Sequence, residues 1–550
     1  MIRAVEAGGW NVTVRIRDLV VPVEAGAGEA DEGGGEAENR RLLQHLLARL
    51  PVPREQILSM EIIRKSLDAR RKRRIVWRYQ LRLELQDEAA LLRRFPFLEA
   101  VDDNRRPGPL DDLPAGEPPR HRPVIIGSGP AGIFAAIVLA SAGIPAVVIE
   151  RGQAVGDRQR RVRGLRRQGT FSAESNYCFG EGGAGTFSDG KLSCGRNHPW
   201  IHWIFSTLVR FGAPRSILYD AHPHTGTENL MKTSVSIRRW LQDNGTEFCF
   251  STRLDDIRRG NGTARLRAVL SDGRALATDH LILATGHSAR DTYRMLLERG
   301  VPMEQKPFAM GARIEHPREV IDRIQFGSCR LLPAAEYKLS ANTDGRGIWT
   351  FCMCPGGHLL PTGAQPGHLA INGMSYHNRS GDFSNAAVVV NVRREDYDRG
   401  HVLDGMAMQA RLEAAAFAAG GGDYHAPAQR LTDFLRGRPP KSLPPSSYRP
   451  GIHPAAMDRL LPEFVVTGLR GAMQRYDQRM RGYIHEEAVV VGLESKTSAP
   501  VVIGRDDSLQ SPEWPGLYPT GEGAGYAGGI VSAALDGVRV GRALVLQLRS

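Results

Sequence analysis

The chain is poor in cysteine and lacks a long uncharged apolar run. Six cysteines in 550 residues are too few for a disulfide scaffold. No Cys-x-x-Cys pair and no His/Cys cluster with zinc spacing occurs, so we predict no metal site. No charge-free apolar run could span a bilayer, and the first residues lack a signal-peptide core. We therefore expect a cytoplasmic protein with reduced thiols and no membrane association.

The composition is that of a globular protein, with 41% hydrophobic and 24% charged residues and a net charge of +12. A net positive charge of this size makes nucleic acid or an anionic substrate a candidate partner. No RNA-binding motif accompanies it, so the sequence favours a small-molecule substrate, with an anionic group as a candidate feature, over nucleic acid. The excess is largely arginine in two clusters, which we interpret as solvated surface: Arg158, Arg160, Arg161, Arg163, Arg166 and Arg167 in one, and Arg70–Arg74 in the other.

The most informative stretch, residues 123–152, predicts a strand, a glycine turn, a helix, a second strand and an acid. Gly127 allows a tight turn, Gly129 lets a pyrophosphate approach the backbone, and Gly132 lets helix and strand pack closely. The helix N-terminus offers N–H groups and partial positive charge to phosphates. Glu150 follows at the distance where an acid accepts hydrogen bonds from an adenosine ribose and repels a 2′-phosphate. The stretch predicts a dinucleotide site.

Three later stretches complete the pattern. Residues 178–192 crowd five glycines into one loop, which suits a backbone lying against a flat or anionic ligand. Residues 280–286 predict an apolar strand that ends in Ala-Thr-Gly. Residues 516–534 predict a short strand, a glycine-rich turn and a second helix N-terminus open to a ligand.

The fold class predicted is α/β: a Rossmann-like dinucleotide-binding domain with an inserted α+β substrate or cap domain. The order β-α-β-β-α over residues 1–101 suggests a ferredoxin-like α+β module, in which Ala25–Glu38 is a mobile loop. The proline-rich residues 102–122 are a linker. The binding domain comprises residues 123–290 and 466–550, and the insertion comprises 291–465.

This order of motifs resembles the flavoproteins with two dinucleotide-binding domains, the glutathione-reductase-like class. More narrowly, the whole chain resembles the bacterial family of uncharacterised FAD-dependent dehydrogenases. The motifs that carry the narrower resemblance are SLDARRK (Ser66–Lys72), FGEGGAGTFSDGKL (Phe179–Leu192), FCMCPGG (Phe351–Gly357), INGMS (Ile371–Ser375) and GEGAGYAGGIVSAALDG (Gly521–Gly537).

The resemblance implies non-covalently bound FAD and an FAD-dependent oxidoreductase. It implies that Glu522 lies on the ribityl chain and that the helix after it points at the flavin pyrimidine ring, where free N–H groups at Gly528–Ile530 would stabilise the reduced ring. The residues expected to bind FAD are Gly127, Gly129, Pro130, Ala131, Gly132, Glu150, Arg151, Gly182, Gly183, Gly185, Thr186, Thr285, Gly286, Gly521, Glu522, Gly528, Gly529 and Ile530.

The reaction itself is less defined by the sequence. Only one complete GxGxxG–acid unit is visible, so NAD(P)H is a candidate transient electron donor without its own Rossmann domain. Three classes stay open: a flavin-dependent oxidoreductase on a small molecule, a flavoprotein acting on RNA, and a non-catalytic flavin-binding protein. Proton donors could come from Lys191, His358 or Tyr526. The substrate, the catalytic residues and the oligomeric state stay undetermined.

The insertion also holds a Cys-Met-Cys-Pro sequence. In a regular strand Cys352 and Cys354 would point to the same face about 7 Å apart, which disfavours a disulfide. We expect the two thiols to lie near the flavin and to act through shape and weak S–H donors, without redox exchange. The alternative is a redox role, which would make Cys352 and Cys354 candidate catalytic residues along with Lys191 and Tyr526.

Overall fold

The computed structural model describes residues 13–23, 36–101, 107–114, 119–260 and 262–549. The chain divides into two compact units. The first comprises Met1–Pro107, Arg215–Pro223 and Phe326–Pro333, and the second comprises Gly108–Pro214, His224–Gln325 and Ala334–Ser550. Within the described ranges, every helix is too short or too polar to cross a membrane.

The first unit contains a four-stranded antiparallel sheet with two helices. Polar and apolar residues alternate along Val76–Leu85, so that Tyr79, Leu81, Leu83 and Leu85 are buried on one face. The predicted order of elements is present, followed by a fourth strand. In sheet order the strands are Ile57–Asp68, Val76–Leu85, Thr13–Pro22 and Leu98–Val101; the helices are Glu36–Arg49 and Glu88–Arg94, with a 3-10 turn at Arg54–Gln56.

Two local predictions in this module need correction. Most of the predicted loop Ala25–Glu38 lies outside the described residues, but its last three residues begin the helix Glu36–Arg49. Glu38 accepts hydrogen bonds from Lys65 Nζ at 2.6 Å and from Tyr79 Oη at 2.9 Å, which explains its order. The stretch Ser66–Arg74 (SLDARRKRR) also predicts a basic hairpin loop, but the loop is shorter than this, because the strand continues to Asp68. Arg70–Arg74 lie exposed at its tip.

The second unit is built on a five-stranded parallel sheet. Four of its strands are short apolar runs with every residue buried, as is usual for parallel strands, and the edge strand Glu247–Cys249 is partly exposed. In order they are Leu517–Pro519, Leu281–Leu283, Val124–Ile126, Val147–Ile149 and Glu247–Cys249. The strand before the glycine turn is therefore central, and the carboxyl ends of all five strands meet at one edge.

The helices Pro130–Ser141 and Ile530–Arg549 pack closely together in this unit. A Cβ added at Gly537 would lie 2.0 Å from the Ala131 carbonyl oxygen, so only glycine permits this approach. The remaining elements around the parallel sheet are the helices Val155–Gln168, Trp200–Arg210, Thr227–Asp243 and Arg290–Glu298, the antiparallel strands Leu254–Arg259, Leu266–Leu270 and Ala275–Thr278, the strand pair Met303–Gln305 and Val501–Ile503, and the 3-10 turn Ala184–Phe187. A further 3-10 turn, Arg215–Leu218, belongs to the first unit.

A seven-stranded sheet forms the rest of the second unit, and it extends past the predicted insertion boundary at residue 465 through Val489–Glu494. Its strands in order are Ser340–Thr343, Arg346–Cys354, Phe383–Val392, Phe308–Pro317, Val489–Glu494, Ala426–Arg430 and Ile452–Pro454. The other elements here are the strand pair His358–Pro361 and Ile371–Met374, the helices Arg318–Phe326, Asp404–Ala419, Leu431–Arg436, Met457–Leu460 and Glu463–Arg479, and the 3-10 turn Arg394–Asp396.

Candidate functional site

In the glycine turn after the central strand, two positions have no room for a side chain. Gly127 has φ +102°, and a Cβ there would lie 2.3 Å from the Ala284 carbonyl oxygen of the neighbouring strand's end. A Cβ at Gly132 would lie 2.0 Å from the Gly127 carbonyl oxygen. Both glycines are therefore required by the packing of the turn against the sheet and the helix.

Gly129 differs from its two neighbours because the protein does not fill the space above it. An added Cβ would meet only the Cα of Gly183, at an ordinary contact distance of 3.7 Å. Gly129 is the N-cap of the helix that Pro130 begins, and no side chain of the described residues caps it. The first N–H groups of a helix have no partners within the helix. The turn is therefore an open cradle with positive character, suited to an anion such as a pyrophosphate.

Glu150 is buried at the end of the adjacent strand and is held by four protein donors. One carboxylate oxygen accepts from Ser128 N at 3.0 Å and Ser128 Oγ at 2.8 Å. The other accepts from the N–H groups of Gly152 and Gly180, both at 2.9 Å. A carboxylate offers about four lone-pair positions. A ribose hydroxyl that binds Glu150 would therefore share a lone-pair position that a protein donor already uses. Through these bonds Glu150 joins the glycine turn to the later glycine loop.

The glycine-rich loop, residues 178–192, lies against that turn. Gly182 N donates to the Ser128 carbonyl at 3.1 Å, and a Cβ at Gly183 would lie 3.0 Å from the Gly129 Cα. A Cβ at Gly185 would lie 3.0 Å from Ile530, the first residue of the C-terminal helix. The structure thus brings the loop, the first turn and the second helix N-terminus together.

One buried arginine holds this loop in place. The Arg158 side chain is fully buried, and burial lowers its pKa to about 10. Its guanidinium donates to five backbone carbonyls at 2.7–3.2 Å, those of Asn176, Tyr177, Gly180, Glu181 and Gly183. It also lies 4.8 Å from the centre of the Phe187 ring. The interpretation of Arg158 as a solvated surface residue is wrong, because it serves as an internal donor.

The other arginines of that cluster differ from Arg158. Arg160, Arg161, Arg163 and Arg167 are exposed, and Arg166 is half-buried.

Just before the cluster, the Arg151 guanidinium is paired with Glu174 at 2.9 Å and with Asp291 at 2.9 and 3.0 Å. Its pKa is raised by these carboxylates against the opposing effect of burial.

The Ala-Thr-Gly strand end meets the late glycine turn. A Cβ at Gly523 would lie 2.5 Å from the Gly286 carbonyl oxygen, so these two backbones touch. An added Cβ at Gly286 itself would meet no atom within 4 Å. Glu522 is half-buried, with one carboxylate oxygen 3.1 Å from His287 Nδ1. Within the described residues, His287 Nε2 is buried without a hydrogen-bond partner. An open backbone and an unsatisfied buried nitrogen both indicate space for a polar ligand.

A buried ion pair fixes the late turn from behind. Arg505 binds the Asp536 carboxylate with two hydrogen bonds, at 2.7 and 2.9 Å, and Gly521 N donates to the same carboxylate at 2.8 Å. Because Asp536 lies on the C-terminal helix, this contact sets the turn relative to that helix. The sequence analysis selected Glu522 in this turn. It did not predict that Asp536 and Arg505 hold the turn in place.

A cleft of about 240 Å³ lies at the start of the C-terminal helix. The residues that line it include Cys194, Arg196, Lys306, Tyr526, Gly528 and Ser532. Lys306 Nζ donates to the Gly525 carbonyl at 2.5 Å and Arg196 to the Tyr526 carbonyl at 2.9 Å. Burial lowers the Lys306 pKa, while Glu522 raises it. Two cations and a helix N-terminus make this cleft favourable for negative charge.

Two predictions about this cleft change with the structure. The N–H of Gly528 is not free, because it donates to Ser532 Oγ at 3.1 Å. The Tyr526 hydroxyl donates to the Ile503 carbonyl at 3.0 Å, and burial raises its pKa. Its one proton is therefore engaged, which makes Tyr526 a poor proton donor. Lys306, which the sequence analysis did not select, is a titratable group of the cleft with a lowered pKa.

The glycine loop ends in a buried charged cluster. The Asp189 side chain is fully buried and contacts Arg379 at 3.0 Å and Lys191 at 4.0 Å. Lys191 and Arg379 also contact Glu336, at 3.5 and 2.6 Å. Lys191 is thus paired with two carboxylates. His358, the third candidate proton donor, packs against Tyr376, and burial lowers its pKa to about 4, so it is neutral at pH 7.

The strand that carries the two cysteines is irregular at their position. Between Phe351 and Cys354 the pairing register with Phe383–Val392 gains one residue, which is a β-bulge. Cys352 has φ +44° in this bulge. The regular strand assumed for the predicted separation of the thiols is therefore wrong, and the Cys354 thiol donates to the Cys352 carbonyl at 3.4 Å. Among the described residues, no group of three or more His, Cys, Asp and Glu could hold a metal.

Comparisons with known proteins agree with this organisation. Residues 121–293 match the family of pyridine nucleotide-disulphide oxidoreductases, residues 307–497 match the C-terminal domain of FAD-dependent proteins, and residues 13–84 match a domain of unknown function. An uncharacterized protein from Clostridium beijerinckii is 39% identical over 512 residues, which covers 92% of this chain and 95% of that protein.

Solved structures are similar only at a distance. Glycine oxidase from Bacillus cereus has a TM-score of 0.34 and 11% identity, over 78% of this chain and 96% of that chain. The halogenase PltM has a TM-score of 0.36 and 10% identity, over 78% of this chain and 69% of that chain. Likenesses this weak do not indicate a reaction.

A sequence signal for Arg158 existed, whereas Lys306 had none. Val155, Arg158, Val162 and Leu165 are the buried residues of their helix, at a spacing that places all four on one face. Arg158 therefore stands within an apolar stripe, which distinguishes it from the arginines around it. Lys306 lies in no motif, and only the fold brings it to the cleft.

Proposed function

The chain belongs to the same family as the uncharacterized Clostridium beijerinckii protein and has the domains of FAD-dependent oxidoreductases, and from this premise we propose that it transfers hydride between FAD and a small molecule. When bound, FAD supplies two-electron chemistry at its isoalloxazine ring. The observation that carries the proposal is the open cradle at Gly129, next to a second helix N-terminus with two cations in its cleft.

The residues fit the cofactor in three places. We propose that the pyrophosphate lies over Gly129, where the protein leaves the space open, and binds the N–H groups of the first helical turn. Glu150 and Arg158 keep the turn and the glycine loop in the shape that receives it. Glu522 and the buried Nε2 of His287 supply polar partners at the late turn.

The cleft at the C-terminal helix is the proposed location of charge that develops during reduction. Arg196 and Lys306 lie there with the helix N-terminus, so the chain itself provides positive charge. We propose that Lys306 also exchanges a proton at Nζ, because burial favours its neutral form. An anionic substrate would be attracted by the same two cations.

The test is an anaerobic screen in which candidate donors are added and the visible absorption of the flavin is recorded. NADH, NADPH and small organic acids form the first set, with dithionite as the positive control. We expect at least one donor to bleach the flavin, or one acceptor to restore the colour of the reduced protein. A flavin that dithionite reduces, but that no donor reduces and no acceptor reoxidises, would instead indicate a non-catalytic flavin-binding protein.

A further inference from the structure

The β-bulge places two cysteines in contact inside a strand, and nothing in the proposed oxidoreductase function requires this. Residues 351–354 take one more residue than the paired residues 385–387, and Cys352 has φ +44° there. The Cys354 thiol donates to the Cys352 carbonyl at 3.4 Å. A non-glycine residue in the left-handed region costs free energy and is found where the surroundings impose it.

A buried arginine stabilises this arrangement. The Arg313 side chain is fully buried and donates to the Cys352 carbonyl at 3.0 Å and to Cys354 Sγ at 4.0 Å. Its Nε also donates to Glu494 at 3.1 Å, and its Nη1 donates to Asn385 Oδ1 at 2.8 Å. The guanidinium thus contacts the bulge and places positive charge beside the Cys354 sulfur.

The two thiols differ in exposure and in acidity. Cys352 is half-buried, whereas Cys354 is fully buried. The neighbouring Cys354 S–H lowers the Cys352 pKa, with Arg313 and Lys191 acting in the same sense and burial and Asp189 opposing them. The neighbouring Cys352 and burial raise the Cys354 pKa. A thiolate attacks disulfides and a thiol does not, so the two cysteines are suited to different steps.

We propose that Cys352 and Cys354 form a reversible disulfide with each other, with Cys352 as the attacking sulfur and a low-molecular-weight disulfide as the oxidant. The Cys352 thiolate attacks one sulfur of the oxidant, the S–S bond of the oxidant breaks, and one thiolate leaves. Cys354 then loses its proton to solvent and attacks the Cys352 sulfur, and the second thiolate leaves. Two thiols of the chain are oxidised, and one external disulfide is reduced to two thiols.

The test uses the full-length protein and glutathione disulfide. After incubation, free thiols are alkylated and the peptide that contains both cysteines is weighed by mass spectrometry. We expect the native peptide to lose two hydrogens and gain no alkyl group, with full reversal by dithiothreitol. In Cys354→Ala the expected product is a mixed disulfide with glutathione on Cys352. In Cys352→Ala the reaction of Cys354 should be at least tenfold slower.

A pH profile of alkylation gives a readout that packing alone would not produce. The alkylation rate of Cys352 should rise with pH along a titration curve whose midpoint lies well below that of an ordinary thiol, because the thiolate is the reactive form. In Cys354→Ala, where the S–H donor is missing, the midpoint should rise by at least one pH unit. Cys329→Ala, which removes another half-buried free thiol, is the control and should leave the profile unchanged.

Two results, both measured on the native protein, would overturn the proposal. One is a native protein in which both cysteines stay alkylatable after long exposure to glutathione disulfide. The other is a native alkylation midpoint at about 8.5, the value of an ordinary thiol. Neither readout depends on bound flavin, so failure here would leave the proposed oxidoreductase function untouched.

Discussion

Replacing Gly129 with valine should release the flavin and leave the chain folded. An added Cβ at Gly129 meets the protein only at 3.7 Å, so the fold accommodates it. The side chain would instead occupy the open space in front of the helix that Pro130 begins, where we propose that the pyrophosphate binds. We expect FAD affinity to fall by at least about 100-fold, equivalent to about 2.8 kcal/mol, as measured by flavin fluorescence titration.

Two further glycine variants make this experiment specific. Gly156 lies in a neighbouring helix with no atom within 4 Å of an added Cβ, so Gly156→Val should retain the flavin. Gly132→Val should instead unfold the domain, because its Cβ would lie 2.0 Å from the Gly127 carbonyl oxygen. Full flavin retention by a folded Gly129→Val protein would exclude Gly129 from the cofactor site.

Replacing Arg158 with methionine should cause the largest loss of stability of any single arginine change in its helix. Methionine fills part of the volume but removes the five charged hydrogen bonds that the guanidinium donates to backbone carbonyls of residues 176–183. Three of these carbonyls keep a second donor from Gly183 N or Thr186, so the cost comes from losing the charged bonds and should be roughly 3–5 kcal/mol in free energy of unfolding. The expected result is a lower denaturation midpoint in urea and weaker flavin retention.

Arg163→Met is the matched control for this change. Arg163 is on the same helix but is exposed, so its loss should shift the midpoint by less than about 0.5 kcal/mol. An Arg158→Met protein as stable as Arg163→Met would show that the carbonyls of the loop find other donors, and that the loop does not depend on this side chain.

The parts of the site that the sequence predicts are those that depend on local spacing. Gly127, Gly129 and Gly132 have a role fixed within one strand, one turn and one helix, so their pattern suffices. The boundary of the domain that contains the seven-stranded sheet was harder to predict, because the strand Val489–Glu494 joins the sheet from far along the chain. Pairing partners so distant in sequence leave no local mark on an apolar strand.

Residues whose role depends on distant contacts were misjudged or missed. The separation predicted for Cys352 and Cys354 assumed a regular strand, but the bulge arises from register with Phe383–Val392 and from Arg313. Arg158 was grouped with charged neighbours, although its helical spacing marked it as buried. Lys306 gains its position only when the folded chain brings it to Gly525.

The flavin content of the purified full-length protein tests the account most directly. Protein is denatured by acid or heat, and the released flavin is identified by chromatography and quantified against the polypeptide. The account predicts a yellow protein that releases close to one FAD per chain, with none left covalently attached. A colourless protein that also takes up no FAD when incubated with an excess of it would contradict the account.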